Sequence, residues 1–263
     1  MGRMHHDIRM LGRIVGVRST EQSVWHLLTT SFENNYNMVV KMNQRNFNFE
    51  MERIMFNPVN KGKHLFLHSC CAPCSSAVLE RLRVFFRITV FYYNPNISWE
   101  EEYHKRVEEQ IRLIEWFNTQ PDVALGEAYP IAYVEGDYEP EAFFEAAKGL
   151  EQEPEGGVRC EKCFELRLKK TVDRASAMDA DFVTTTLTIS PLKNAPLLNA
   201  IGERLAIAAG VTWLPSDFKK KNGYKRSVEL SIEHDLYRQD YCGCAFSKAE
   251  REKACNAEKK KVE

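Results

Sequence analysis

With 263 residues, 44% hydrophobic content and a formal net charge of −1, the chain can bury one good core or at most two smaller ones. The near-neutral balance excludes a generic electrostatic glue for nucleic acid, although a locally basic face is compatible with it. No apolar run reaches the roughly 18 residues of a membrane span, the N-terminal stretch lacks a hydrophobic signal core with a small-residue cleavage site, and His6 stands where a myristoylation signal wants Ser or Thr. These features point to the reducing cytoplasm and to no membrane partner.

From Met1 to about Asn60 the polarity is mixed, with a helical period only around Val24 to Leu28, and Met42 is a candidate alternative start. From His64 the pattern sharpens. His64 to His68 reads as a buried strand, and Ser75 to Arg83 as a short helix beginning just beyond Pro73. Ile88 to Tyr93 is a second strand closed by Asn94-Pro95-Asn96, after which Tyr103, Val107, Ile111, Ile114 and Phe117 recur at helical spacing. A strand over Ile131 to Val134 leads to a helix over Glu141 to Lys148, an acidic loop over Glu151 to Gly157, and a longer helix over Cys160 to Met178. Asp181 to Leu187 carries enough β-branched residues for a strand, Asn194 to Ala209 is helical with Gly210 as its stop, and Val211 to Leu214 is the last strand candidate. Strands alternate with helices, and the apolar runs suit strands covered on both faces. This predicts an α/β fold, a three-layer Rossmann-like domain around a mainly parallel sheet, followed by a C-terminal helical or loop segment carrying a Cys-x-Cys pair. Ligands of such sheets sit beyond the carboxyl ends of the strands, near a switch in strand order.

Seven of the eight cysteines fall in three tight clusters: Cys70, Cys71 and Cys74; Cys160 and Cys163; Cys242 and Cys244. In a reducing compartment such clustering suggests a soft metal centre and a redox thiol pair before it suggests structural bridges. Thiolates are the ligands that iron–sulfur clusters and zinc require, and two pairs supply the four that a four-iron cluster needs. Cys160 and Cys163 are three residues apart, which places both sulfurs on one side of a helical turn with Arg167 one turn further along. The competing readings are a zinc site and unligated buried cysteines; the vicinal pair fits poorly with ordinary zinc modules. Cys242-Gly243-Cys244 suits a small, labile redox disulfide, with metal ligation as its alternative. Cys255, in the charged end, reads as incidental.

Six blocks in order carry a resemblance: His68-Ser69-Cys70-Cys71-Ala72-Pro73-Cys74-Ser75, Phe91-Tyr92-Tyr93-Asn94-Pro95-Asn96-Ile97, Arg159-Cys160-x-x-Cys163-Phe164-x-Leu166-Arg167-Leu168, Thr184-Thr185-Thr186-Leu187-x-Ile189-Ser190-Pro191, Phe218-Lys219-Lys220-Lys221-Asn222-Gly223-Tyr224, and Tyr237-Arg238-Gln239-Asp240-Tyr241-Cys242-Gly243-Cys244. Over about residues 64 to 247 the chain resembles the QueH-type epoxyqueuosine reductases. The resemblance implies a cobalamin-independent oxidoreductase that reduces epoxyqueuosine to queuosine at the wobble position of tRNA, the closing step of queuosine biosynthesis. It implies that Cys70, Cys71, Cys160 and Cys163 hold a 4Fe-4S cluster and that Cys242 and Cys244 form a redox-active disulfide pair. Family members vary at the position of Cys74, some carrying an acidic residue, so that Cys74 stands either as ligand to an additional mononuclear iron or as a bystander. The implied partners are tRNA carrying epoxyqueuosine, met through its anticodon loop, and an unidentified electron donor. On this reading residues 1–60 are an N-terminal extension, 61–250 a single catalytic α/β domain with the iron–sulfur site, and 251–263 a charged tail.

For the substrate, Phe218 to Arg226 interleaves five cations with two aromatics, a pattern suited either to an RNA loop or to a solvated basic loop. Tyr92, Tyr93, Asn94 and Asn96 are candidates for stacking on or bonding to the modified base, or for packing at the sheet edge. His68 is a proton-donor candidate or a core histidine, Arg159 and Arg167 are cations beside the helical cysteines, and Thr184 to Thr186 with Ser190 offer hydroxyls for ribose contacts. Two other functions compete. A tRNA sulfur transferase of the ATP-pyrophosphatase type needs a glycine-rich phosphate loop after its first strand, where Ser69-Cys70-Cys71-Ala72-Pro73 has no glycine. A non-catalytic zinc-binding nucleic-acid module predicts a colourless protein.

Overall fold

The structure, a computed structural model, describes residues 45–259. The helical period near Val24 and the alternative start at Met42 lie outside the described residues. The sheet has five strands, β1 (His64–Ser69), β2 (Arg87–Tyr92), β3 (Ala132–Glu135), β4 (Phe182–Thr185) and β5 (Thr212–Trp213), in the spatial order β3-β2-β1-β4-β5. Every neighbouring pair is parallel, as the alternation of elements predicts. Chain order reverses between β1 and β4, so their carboxyl ends flank the switch point.

Because successive side chains in a strand face opposite ways, β1 feeds two cores at once. Leu65 and Leu67 join Ile88, Val90 and Phe117 on one face, with α1 (Phe47–Met55), α2 (Ala72–Leu82), α3 (Glu100–Asn118) and α8 (Gly223–Glu233) contributing to the cover. Phe66 joins Phe91, Val183 and Trp213 on the other, under α6 (Val158–Ala177) and α7 (Ala195–Ala209). The shorter helices α4 (Pro121–Ala124) and α5 (Pro140–Ala147) fill connections, and α9 (Ala245–Lys259) follows the Cys-x-Cys segment. Among the described residues no helix is long and apolar enough to cross a membrane.

Several local signals act as read. Asn194 caps α7 by accepting from the Leu197 N–H at 3.1 Å, and Gly210 ends it in the left-handed conformation with φ 72°. Gly202 inside α7 lets Trp213 lie against the helix backbone: a Cβ there would sit 2.4 Å from the indole.

Four boundaries differ from the sequence reading. The extension does not run to residue 60, since Phe47, Met51 and Met55 of α1 are buried and the two methionines belong to the main core. The strand read over Asp181 to Leu187 stops at Thr185, whose hydroxyl accepts from the Leu187 N–H at 3.1 Å and starts a 3-10 turn over Thr186–Ile189. The stretch from Phe218 is not simply a loop, because α8 begins at Gly223. Helix α9 extends to Lys259, into the segment read as a charged tail.

If α1 is part of the core, Met51→Ala lowers the urea-unfolding free energy by about 2–5 kcal/mol, the usual loss for a fully buried methionine. A change under about 0.5 kcal/mol would return α1 to the status of a loose extension.

Candidate active site

The turn after β1 lies at the switch point, and local backbone geometry aims its thiols inward. The Cys70 N–H donates to Thr186 Oγ1 at 3.3 Å, and its Sγ lies 3.5 Å from the same hydroxyl, which ties the turn to the end of β4. Cys71 is fully extended (φ −176°) as the N-cap residue of α2, and Pro73 sits in the first turn, where its missing N–H costs nothing. The helix therefore starts at Ala72, earlier than its sequence pattern suggests, and carries Cys74 in its opening turn. The Cys70 and Cys71 sulfurs are 3.9 Å apart, and with Cys74 all three lie within 4.8 Å of one another. Such crowding divides the thiols. Hydrogen bonds from Cys70 and Cys74, reinforced by Arg106, hold Cys71 well below the ordinary thiol range, and the donors are pushed up.

Cys160 and Cys163 sit in the opening turns of α6, at the other cysteine group. Cys160 Sγ accepts from the Gly156 N–H at 3.2 Å, and burial pushes the Cys163 thiol up to about 11. Of the four cysteines expected to share a cluster, the structure brings Cys70 and Cys71 together and adds Cys74; Cys160 and Cys163 line an adjoining small cavity with Cys242 and Cys244. Cys70, Cys71 and Cys74 open on a larger cavity of about 470 Å³. Glu155, Lys193 and Cys242 line both cavities and so form the wall between the two cysteine groups.

The Cys-x-Cys segment is fastened at several points. Arg106 Nη1 donates to the Cys242 carbonyl at 3.3 Å and Asn96 Nδ2 to the same oxygen at 3.4 Å, while the Cys242 N–H donates to Ser247 Oγ at 3.1 Å. Both cysteines are free thiols in the structure, the dithiol form of the pair that the sequence reading has closing to a disulfide.

Cations gather around these sulfurs. Arg167 is 1% exposed; its Nη2 donates to Asn94 Oδ1, its Nη1 lies 4.0 Å from Cys163 Sγ, and its Nε–H finds no partner. No carboxylate pairs with it among the described residues. Burial alone would push the guanidinium down, yet the thiols of Cys163, Cys242 and Cys70 hold it above its ordinary value. At Lys193 too burial opposes the charge, and Cys242, Cys70 and the carboxylate of Glu155 raise it. A buried cation without an acid needs another anion nearby, and thiolates, alone or bound to a metal, fit that need.

Residues 65–250 match the family model described as Epoxyqueuosine reductase QueH. The chain belongs to that family. Relatives named epoxyqueuosine reductase QueH include one from Streptococcus pyogenes serotype M1, 42% identical over 183 residues that cover 70% of this chain and 69% of the relative. Another, from Staphylococcus epidermidis, is 38% identical over 216 residues, covering 80% and 88%. One from Thermotoga maritima is 33% identical over 190 residues, covering 71% and 91%. Neither the sulfur-transferase nor the zinc-module alternative finds support in these matches.

Other expected site residues take structural posts. His68 is fully buried, its Nε2–H facing the Tyr93 carbonyl at 3.2 Å and its Nδ1 the Thr185 hydroxyl at 2.8 Å; burial and Arg167 push it down to about 3. It is a neutral core histidine. Tyr92 and Tyr93 are buried, and Asn94 donates to the Ser69 carbonyl at 2.9 Å. Thr184, Thr185 and Thr186 are 0% exposed, which removes them as ribose contacts; Ser190 lines the larger cavity. Arg159 reaches Glu250 at 2.9 Å and the carbonyls of the Leu150 to Glu153 loop instead of a sulfur.

The basic block is largely neutralised. Lys219 pairs with Asp217 at 2.8 Å, Lys221 with Glu52 at 2.7 Å, and Arg226 with Glu80 and Glu233, each at 2.7 Å, while Phe218 is buried. Arg106 and Lys193 escape the sequence reading. A lysine three residues beyond Ser190 and an arginine within a charged helix look like surface residues until the fold turns them inward.

Because the unfolded chain protonates His68 near 6.5 and the native ring resists until about 3, the native state loses stability as pH falls below about 6.5. Urea midpoints measured at pH 7 and pH 5 are expected to differ less in His68→Gln than in the parent; equal differences would remove His68 from the effect.

Proposed function

We propose that the chain is an epoxyqueuosine reductase acting on tRNA, with Cys70, Cys71, Cys160 and Cys163 holding a 4Fe-4S cluster and Cys242 with Cys244 serving as its redox-active pair. The observation that supports this most is one wall, Cys242 with Lys193 and Glu155, shared by the two cysteine groups at the switch point of a QueH-family sheet. A bound cluster would supply single-electron transfer. Cys74, whose thiol lies within 4.8 Å of those of Cys70 and Cys71, would be the ligand to an additional mononuclear iron. Arg167 and Lys193 offset the negative charge of sulfur ligands in a site that excludes much water. The expected compartment is the reducing cytoplasm, where thiols persist, and an electron donor of unassigned identity restores the dithiol.

The cavity is roomy enough for a modified base, and its rim carries a stacking element. Tyr224 is 38% exposed, and Arg238 lies over its ring at 5.5 Å from the centroid while donating to its hydroxyl at 3.2 Å. Among the described residues no carboxylate neutralises Arg238, unlike the cations of the Lys219 to Arg226 block. An aromatic face beside a guanidinium with no carboxylate partner suits the base and phosphate of a splayed anticodon loop. RNA contact thus moves from the basic block to the Tyr224 and Arg238 edge.

The decisive assay follows conversion of epoxyqueuosine-containing tRNA to queuosine tRNA under anaerobic conditions with a chemical reductant. Brown protein with about four irons per chain or more and measurable conversion is the expected result; colourless zinc protein without conversion defeats the proposal. Cys242→Ser and Cys244→Ser should each lower turnover by ~100-fold or more with cluster absorbance retained, the scale on which a lost catalytic group is felt.

In an anisotropy titration with an anticodon stem-loop, Tyr224→Ala should weaken binding by about 1–3 kcal/mol, the cost of one lost base stack. Arg238→Ala should flatten the salt dependence by roughly one phosphate contact. Unchanged affinity and slope in both variants would move the RNA face elsewhere.

A further inference from the structure

The two thiols of the Cys-x-Cys segment stand in opposite surroundings. Cys242 is half-buried, lines the 470 Å³ cavity together with the vicinal cysteines, and takes a hydrogen bond from Lys193 Nζ at 3.4 Å. Its carbonyl is held by Arg106 and Asn96, so the backbone behind the thiol is fixed. Cys244 is 7% exposed, packs with Phe143, Ala147 and Cys163, and lines only the smaller cavity of about 20 Å³. Its Sγ accepts from the Ser247 N–H at 3.3 Å. Gly243 makes the division possible. Its φ of +116° is a conformation that side chains rarely adopt, and a Cβ there would meet Ile97 Cγ1 at 3.0 Å and Arg106 Nη1 at 3.2 Å.

We propose that the pair is polarised: Cys242 is the substrate-facing thiol, Cys244 is the resolving thiol that closes the disulfide from the buried side, and Lys193 is the positioning residue that holds Cys242 toward the cavity. The inference rests on the reading of the two cysteines as the redox pair of an epoxide reductase, and it assigns their order. The chemistry balances. Turning an epoxide into an alkene breaks both C–O bonds, forms one carbon–carbon π bond and releases the oxygen as water, which takes two electrons and two protons. Oxidation of one dithiol to one disulfide yields both pairs as the S–S bond forms. A reductant of the dithiol class then returns two electrons and two protons to the pair. Cys242 is the member that reaches the cavity, so the order of reaction follows from access.

The test uses anaerobically prepared holoenzyme, limiting iodoacetamide, and peptide mass mapping of each cysteine over time. Cys242 is expected to be alkylated at least ~10-fold faster than Cys244. Lys193→Met should slow Cys242 several-fold without altering Cys244 or cluster absorbance, and Lys193→Arg should restore the rate. With glutathione disulfide, Cys244→Ser is expected to accumulate a mixed disulfide at Cys242, because its resolving partner is gone, and Cys242→Ser to accumulate none at Cys244. Equal or faster alkylation of Cys244 in the unmutated enzyme overturns the order even if the serine variants fail to fold. An unchanged Cys242 rate in Lys193→Met overturns the role of Lys193. These rates are independent of epoxyqueuosine turnover. Failure to convert epoxyqueuosine tRNA with the alkylation order intact would therefore strike the function and not the polarity.

Discussion

A guanidinium buried without an acid is the constraint on which the site turns. Arg167 reaches Asn94 through one nitrogen and Cys163 through another, and Asn94 in turn donates to the Ser69 carbonyl at the end of β1. That chain links the helical cysteines of α6 to the strand that delivers the vicinal ones. Leaving such a charge unpaired in a low-dielectric interior costs several kcal/mol, and sulfur ligands that carry negative charge would offset it. Lys193 likewise donates to Cys242 Sγ, and Cys242, Cys70 and Glu155 raise it against the cost of burial.

The sheet supplies the rigid frame. With β1 and β4 side by side at the reversal of strand order, the turn after one strand and the 3-10 turn after the other meet edge to edge, and Thr186 bridges them through Cys70. Cys71 can face Cys70 only because it is extended just before a helix begins, with Pro73 favouring that start. The Cys-x-Cys segment is strung across this frame and pinned by Asn96, Arg106 and Ser247. Thiols on the sheet side and Cys242 on the shared wall give one cavity two sources of sulfur.

Much of this was legible before any coordinates. The alternation of elements gave the parallel three-layer fold, because apolar runs of strand length separated by amphipathic helices have few other solutions. The cysteine groups stood out because adjacent or near-adjacent thiols are rare in an ordinary core. Charge was the poorer guide. The run from Lys219 to Arg226 looked like the strongest nucleic-acid signal, yet Asp217, Glu52, Glu80 and Glu233 neutralise much of it from elements that are distant in sequence. His68 and the threonines after β4 looked chemical because of where they sit, and they serve to hold the strands instead.

By itself the sequence determined the fold class, the family resemblance and the residue types available for chemistry, since periodicity and local spacing are properties of a single stretch of chain. Only the tertiary structure decided which sulfurs share a cavity, which cations remain unneutralised, and that Cys242 and Cys244, one glycine apart, face different surroundings. Those outcomes depend on long-range packing, where burial and the nearest charge are set by segments that meet only when the chain has folded.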